Sequence, residues 1–177
     1  ACQALGVKGL GRGLTTCFSH YPAKILGAFG DAGSVCTNNK EIADKIKSLR
    51  NHCGGVDYGY NSRLDNIQAA ILNVKFKYLK GWLKRRKEIA RMYDKGLKDI
   101  QGIKLPVKRN CYQDYIITAE KRDDLKDFLA KKGIETLIGK YNLSSKQGND
   151  LRLPCNPEIV NKEIAEIIKQ IKEWKKL

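Results

Sequence analysis

A lysine in a short, constrained segment and a serine five residues before it are the residues whose chemistry stands out. Lys24 ends the segment Phe18-Ser19-His20-Tyr21-Pro22-Ala23-Lys24. The proline disfavours helix at Tyr21, and the glycines between Gly27 and Gly33 let the backbone turn sharply. A lysine held in a crevice is partly desolvated, which favours the uncharged amine that attacks carbonyl carbons. Because most lysines lie in solvent, the surrounding motif is what distinguishes Lys24.

Further motifs flank this segment on both sides. Ala1-Cys2-Gln3-Ala4-Leu5-Gly6 precedes the lysine, and Gly30-Asp31-Ala32-Gly33-Ser34-Val35-Cys36-Thr37-Asn38 follows it. Leu49-Arg50-Asn51-His52 comes next, and then Gly59-Tyr60-Asn61-Ser62-Arg63-Leu64-Asp65, which Gln68-Ala69-Ala70-Ile71-Leu72 continues. In this order the motifs resemble the DegT/StrS-type sugar-nucleotide aminotransferases, which are fold type I enzymes that use pyridoxal 5'-phosphate (PLP). The matches in the second half of the chain are weaker.

The resemblance implies roles for four residues. Lys24 matches the lysine that forms a Schiff base with the cofactor and later moves a proton between substrate and cofactor. Ser19 matches a hydroxyl that binds the cofactor phosphate, and Gln3 matches a residue near the ring hydroxyl. Asn61 matches a residue that reaches the cofactor phosphate of the neighbouring subunit. The resemblance therefore implies a homodimer with shared active sites.

Several of these residues also have ordinary structural interpretations. The Ser19 hydroxyl would bond locally at a strand end, and Asn61 would occupy a turn with left-handed backbone geometry. Arg63 would bind an anion or cap the helix that follows it. His20 stands where the family usually has an aromatic residue, which favours packing over catalysis.

The activity that the resemblance implies is transfer of an amino group to a keto sugar attached to a nucleotide, with glutamate as the expected donor. Such products enter cell-surface polysaccharides or other amino-sugar metabolites. Lysine at position 24 favours transamination, because relatives with histidine there are sugar dehydratases. In the family, the aspartate that pairs with the ring nitrogen comes immediately before the residue matching Ala1. We therefore interpret the chain as the C-terminal portion of a longer protein, and the alternative is a catalytically inactive fragment or homologue.

Composition favours a globular chain with reduced thiols. The 177 residues are 42% apolar, and no apolar run approaches the roughly 20 residues that span a bilayer, so no membrane association is expected. The six cysteines are irregularly spaced and form no CxxC pair, which disfavours disulfide and zinc sites and favours a cytoplasmic protein. The two histidines have no spaced acidic neighbours, so no metal site is expected.

The formal charge of +15 raises the question of a nucleic-acid partner. Between Lys75 and Arg91, eight basic residues accompany the single acidic Glu88. Apolar residues in the same stretch fall near helical spacing, so the basic residues are expected to form a solvated outer face. No recognisable DNA- or RNA-binding motif accompanies the charge, and we therefore expect no nucleic-acid partner. After the aminotransferase and the inactive fragment or homologue, a basic nucleic-acid binder is the third interpretation of the chain.

Strands alternate with helices along the chain, a pattern typical of α/β proteins. Short strands are expected at residues 14–18, 33–37, 112–118 and 134–138. Helices are expected at residues 39–49, from 64 onward, at 79–97, at 123–132 and near the C-terminus. A helix is expected to start near Leu64 and to turn Leu64, Ile67, Ile71 and Val74 toward a core. Residues 143–150 are expected to form a polar loop.

The expected fold class is α/β, in two parts. Residues 1–100 are interpreted as a remnant of the PLP-transferase large domain, namely its C-terminal part with long connecting helices. Residues 101–177 are interpreted as a small α/β C-terminal domain. The boundary is placed where Gly102 and Pro106 interrupt the helical pattern.

Overall fold

The computed structural model describes residues 4–7, 13–55, 57–108, 111–138 and 148–176. Its helices are α1 (Lys40–Leu49), α2 (Asn66–Phe76), α3 (Leu79–Leu97), α4 (Arg122–Lys131) and α5 (Asn161–Trp174), and a short 3-10 helix spans His52–Gly55. Its strands are β1 (Thr16–Ser19), β2 (Gly33–Cys36), β3 (Ile103–Lys104), β4 (Tyr115–Ala119), β5 (Leu137–Ile138) and β6 (Asp150–Leu153).

The chain divides into two compact units, residues 1–81 and 82–177. The division falls inside α3. It is a division by packing and does not assign a function to either unit. The assignment of residues 1–100 to a cofactor domain and 101–177 to a C-terminal domain stays a prediction.

In the first unit, β1 and β2 form an antiparallel pair that brackets the lysine segment. Thr16 pairs with Cys36 at one end, and Ser19 pairs with Gly33 at the other. Helix α1 follows β2 and is capped at its N-terminus by Asn39, whose side-chain oxygen accepts a hydrogen bond from the Ile42 amide at 3.0 Å. The strands and this helix lie close to their predicted positions.

The buried face of α2 differs from the predicted one. Ile67 and Val74 are 68% and 55% exposed, whereas Leu72 is 8% exposed and packs with Leu26 and Ala28. The expected inner positions at Ile67 and Val74 are therefore wrong for this chain. The apolar residues of α2 lie on more than one side of the helix, so periodicity alone does not select the side that contacts the lysine segment.

The second unit is built on a four-stranded antiparallel sheet with the order β3-β4-β6-β5. The central strand β4 buries Tyr115, Ile117 and Ala119 completely. The core of the second unit also includes buried residues of α3, α4, β6 and α5: Ile89, Ala90, Tyr93, Leu97, Leu125, Leu129, Leu151, Leu153, Ile164, Ile167 and Ile171. The contributions of α3, α4 and α5 follow the apolar spacing of their sequences.

Two strands of this sheet were missing from the sequence prediction. Strand β6 begins at Asp150, the last residue of the expected loop at 143–150, and residues 139–147 lie outside the described part. Strand β3 is only two residues long and follows Gly102 directly. Strand β3 is too short to show alternation. The four residues of β6 do alternate between polar and apolar, but they adjoin the segment expected to be a loop, so pairing with β4 is what defines both strands.

One basic residue of α3 is not on the solvated face. Arg86 is buried, and its Nη1 atom donates to the carbonyl oxygens of Gln113 at 2.9 Å and Cys155 at 2.8 Å, with Tyr112 O at 3.3 Å. The prediction that all the basic residues of this stretch lie on a solvated outer face is therefore wrong for Arg86. Its guanidinium joins α3 to the segments before β4 and after β6, where backbone carbonyls need donors.

Replacing Arg86 should destabilise the second unit. Arg86→Met keeps an unbranched side chain but removes the guanidinium that donates to three backbone carbonyls, two of them in buried bonds, so we expect the free energy of unfolding to fall by about 2 kcal/mol. Urea titration followed by tryptophan fluorescence measures this change. The matched control is Lys84→Met at an exposed position of the same helix, with an expected change within about 0.5 kcal/mol. Equal urea midpoints for Arg86→Met and Lys84→Met would contradict a stabilising role of the Arg86 hydrogen bonds.

Thiol reactivity should separate the cysteines by burial. Burial raises the pKa of the Cys155 thiol to about 11 and also raises the pKa of Cys111, whereas Cys17 and Cys36 are exposed. Since the thiolate is the nucleophile, a raised pKa leaves little reactive form at pH 8. Iodoacetamide labelling of the native protein at pH 8, read by peptide mass spectrometry, should modify Cys17 and Cys36 before Cys111 and Cys155. Equally rapid labelling of Cys155 would contradict its burial.

Candidate active site

The lysine segment forms a loop whose two ends are tied together. The amide of His20 donates to Ala32 O at 2.8 Å, and the amide of Ala28 donates to His20 O at 2.7 Å. Within the loop, the Lys24 amide donates to Tyr21 O at 2.8 Å. Lys24 is half-buried, and the two residues after it, Ile25 and Leu26, are buried. Lys24 therefore lies in a short loop closed by backbone hydrogen bonds and anchored by apolar side chains.

Gly27 is the tightest point of this loop. A Cβ atom at position 27 would lie 2.3 Å from Pro22 O and 2.8 Å from Tyr21 O, both of which are backbone atoms. Backbone atoms cannot move aside without opening the loop, so only glycine fits there. The sharp turn expected from the glycines after Lys24 is observed at this residue.

Two side chains of α2 hold the C-terminal end of the loop and the residue that follows it. Gln68 Oε1 accepts a hydrogen bond from the Phe29 amide at 2.8 Å. Lys75 Nζ donates to Gly27 O at 2.5 Å and lies 5.1 Å from the centre of the Phe29 ring. These contacts explain why the side of α2 that carries Leu72 faces the loop, and they position α2 relative to Lys24.

His20 is buried beneath the same segment. Its Nδ1 atom lies 3.0 Å from Leu26 O, and its Nε2 atom lies 2.9 Å from Ser34 Oγ on β2. The ring also stacks on Phe18, with 6.4 Å between ring centres. These contacts give His20 the packing position expected from the sequence and add two hydrogen bonds that the sequence did not predict.

An open pocket of about 730 Å³ brings together three of the four predicted site residues, Ser19, Lys24 and Asn61. Gln3, the fourth, lies outside the described residues. The other residues that line the pocket are Tyr21, Asp31, Ala32, Gly33, Ser62, Arg63 and Leu64. The pocket lies within the first unit, and the roles of the four residues stay predictions.

Ser19 and Asn61 occupy different local settings. Ser19 Oγ accepts a hydrogen bond from the Tyr21 amide at 3.3 Å, which is the local strand-end interaction considered above. Because Ser19 Oγ is the acceptor in this bond, its own hydroxyl proton can be donated to a ligand. Asn61 forms an isolated antiparallel bridge with Asn51 and is absent from the residues with positive φ, so the left-handed turn is wrong. Asn61 is exposed at the rim of the pocket.

The sequence prediction missed several residues of this site. Tyr21 and Asp31 line the pocket, and Gln68 and Lys75 anchor the loop through backbone atoms. Gln68 belongs to a motif that was recognised, but its partner is 39 residues away in the chain, and nothing in the sequence pairs them. Lys75 carries no signal that separates it from the other lysines of the basic stretch.

The donors in the pocket suit a ligand that carries both an anionic group and a carbonyl group. Lys24 brings a primary amine to the pocket, while the Ser19 hydroxyl, the Asn61 amide and the Arg63 guanidinium bring hydrogen-bond donors. This donor set fits PLP, which has a phosphate and an aldehyde. Among the described residues, no three histidine, cysteine, aspartate or glutamate side chains are grouped so as to hold a metal ion.

Solved structures show the class of fold. A DegT DnrJ EryC1 StrS aminotransferase from Brucella abortus is 32% identical with a TM-score of 0.83, over 92% of this chain and 51% of that chain. NtdA from Bacillus subtilis, solved with bound cofactor PMP, is 25% identical with a TM-score of 0.85, over 100% of this chain and 49% of that chain. The chain therefore has the α/β fold of this class of aminotransferases, and the predicted fold class is confirmed.

Sequence comparison shows the family. The model of the DegT/DnrJ/EryC1/StrS aminotransferase family matches residues 1–149, and the chain belongs to this family. The dTDP-3-amino-3,4,6-trideoxy-alpha-D-glucose transaminase of Streptomyces venezuelae is 32% identical, over 98% of this chain and 55% of its own length. The chain spans about half the length of the curated relatives it matches.

Helix length and apolarity also bear on membrane association. In the part of the chain that the structure describes, no helix is both long enough and apolar enough to cross a bilayer.

A methyl group at Gly27 should open the lysine loop. In Gly27→Ala the new Cβ would overlap Pro22 O, so we expect the free energy of unfolding to fall by about 2 kcal/mol. Urea titration measures the change. Gly81→Ala is the matched control because nothing lies within 4 Å of its Cβ position in α3, and it should raise stability by up to about 1 kcal/mol. A neutral Gly27→Ala would show that the loop is not closed as described.

Proposed function

We propose that the whole protein to which this chain belongs is a PLP-dependent aminotransferase that transfers an amino group to a keto sugar attached to a nucleotide. Glutamate is the proposed donor. The observation that carries the proposal is the pocket in which the Lys24 amine lies with the Ser19 hydroxyl and the Asn61 amide. The proposal is supported by family membership and by a relative whose name describes a dTDP-sugar transaminase.

The chain supplies the groups that the reaction needs at one end of the cofactor. When bound, PLP supplies an aldehyde that condenses with amines and a ring that withdraws electrons. Lys24 Nζ would attach to that aldehyde and, once released, would carry the proton between the amine-bearing carbon and the cofactor. A half-buried amine on a closed loop is restricted in position, which favours proton transfer by Lys24 over transfer by water.

The remaining residues would bind and orient the cofactor. Ser19 would donate its hydroxyl proton to the phosphate, and Gln3 would lie near the ring hydroxyl. Arg63 lines the same pocket and would add positive charge beside the phosphate or a substrate anion. The amide of Asn61 would reach the phosphate of the neighbouring subunit's cofactor in a homodimer with shared sites.

The setting of the reaction is proposed on the same basis. Amino sugars made in this way would serve cell-surface polysaccharide or amino-sugar biosynthesis in the cytoplasm. The chain spans about half the length of its curated relatives, and we propose that other parts of the whole protein supply the remaining groups of the site. The alternative is a catalytically inactive fragment or homologue without the aspartate that pairs with the ring nitrogen.

Replacing Lys24 should abolish covalent attachment of the cofactor. Lys24→Arg keeps the charge but cannot condense with the aldehyde, so turnover of the full-length protein should fall by at least about 10²- to 10⁴-fold. Borohydride reduction in the presence of PLP, followed by peptide mass spectrometry, locates the adduct. Lys40→Arg, an exposed lysine outside the pocket, is the control and should behave as wild type.

The outcomes separate the candidate functions. An adduct on Lys24 in the full-length protein and in this chain supports the proposal and shows that the chain binds cofactor by itself. An adduct only in the full-length protein supports the inactive-fragment alternative for the isolated chain. Unchanged turnover in Lys24→Arg would overturn the proposal. Salt-sensitive retention of oligonucleotide without PLP binding would favour a nucleic-acid binder instead.

A further inference from the structure

We propose that His20 is a positioning residue for Lys24, acting through a hydrogen bond from its imidazole to Leu26 O. This inference rests on the proposed function of Lys24 as the cofactor-binding amine. Within the lysine segment, His20 has a buried polar side chain. Both of its ring nitrogens lie within hydrogen-bond distance of a partner.

The direction of the two hydrogen bonds follows from their partners. Leu26 O is a carbonyl oxygen and only accepts, so the Nδ1 atom of His20 must carry the proton. In the neutral ring, Nε2 then accepts the hydroxyl proton of Ser34. The His20 side chain is only 7% exposed and Leu26 is buried, so water cannot readily replace the bond to Leu26 O, whereas Ser34 lies on the exposed strand β2.

His20 closes the loop through its main chain and its side chain together. Its carbonyl accepts from the Ala28 amide, and its imidazole donates to Leu26 O, two residues after Lys24. Gln68 and Lys75 hold Phe29 and Gly27, which lie further along the segment. Of these three side-chain anchors, His20 holds the residue nearest to Lys24.

An aromatic hydrocarbon ring would not perform this function. Phenylalanine at position 20 would stack on Phe18 as the imidazole does, but it has no donor for Leu26 O and no acceptor for Ser34 Oγ. Leu26 O would then be buried without its side-chain donor, which favours conformations in which the loop opens to water. The imidazole therefore provides a constraint on Lys24 that packing alone does not.

The first measurement needs no cofactor. Hydrogen exchange of the full-length protein is followed in peptides that cover residues 21–29. In His20→Phe we expect exchange of the Ala28 amide to become about tenfold faster, because the loop opens more often. His20→Asn should restore slower exchange, since its amide nitrogen lies at the same distance along the side chain as Nδ1. The exposed histidine provides the control: His52→Asn should match wild type.

The second measurement connects the loop to the chemistry. The rate of borohydride-stable PLP attachment to Lys24 should fall about tenfold in His20→Phe, recover in His20→Asn and remain unchanged in His52→Asn. Circular dichroism and urea titration of each variant establish that the protein is folded, so a slower rate is assigned to the loop.

Each outcome has a definite meaning. Unchanged exchange in His20→Phe overturns the proposal, whatever the cofactor does. Faster exchange with an unchanged attachment rate shows that His20 holds the loop without positioning Lys24, and it also overturns the proposal. Absence of an adduct in the wild-type full-length protein overturns the proposed function, and the positioning role with it, while exchange still reports whether His20 closes the loop.

Discussion

The closure of the loop between His20 and Ala28 is the constraint on which the candidate site depends. The backbone bond from Ala28 to His20 O joins the two ends, and the bond from His20 to Ala32 O joins the loop to the start of β2. Closing so short a loop costs little chain entropy, but it forces backbone atoms close together. Gly27 permits that approach because a Cβ atom would overlap Pro22 O. Lys24 therefore has a defined backbone position before any ligand binds.

The same loop determines which residues from further along the chain can reach Lys24. Gln68 in the first turn of α2 and Lys75 in its last turn hydrogen-bond to the backbone at the C-terminal side of the loop, so one side of α2 lies along it. The segment before α2 carries Asn61 and Arg63 and pairs with residues 49–52 through backbone hydrogen bonds. These two sets of contacts bring Asn61 and Arg63 into the pocket of Ser19 and Lys24. Backbone hydrogen bonding thus assembles a set of donors that suits an anionic ligand.

The second unit shows that the positive charge of the chain has more than one use. Most basic side chains of α3 lie at least partly in solvent, but Arg86 is buried and supplies donors to three backbone carbonyls. A guanidinium suits this position because its several N–H groups serve neighbouring acceptors at once. These carbonyls belong to the segments that precede β4 and follow β6, so this basic residue has a structural use, and charge counted from the sequence does not by itself indicate a ligand.

The sequence by itself determined the elements with clear periodicity and the family, and it singled out Lys24 as the candidate site lysine. Helix α3 lies where its spacing predicted, and the lysine segment carries local information in consecutive residues. Only the tertiary structure decided which side of α2 is buried, how β3 and β6 pair, and that Arg86 lies inside. It also revealed the partners of His20 and Gln68. These outcomes depend on contacts between residues distant in sequence, whose hydrogen bonds and packing select one arrangement among several that the local pattern permits.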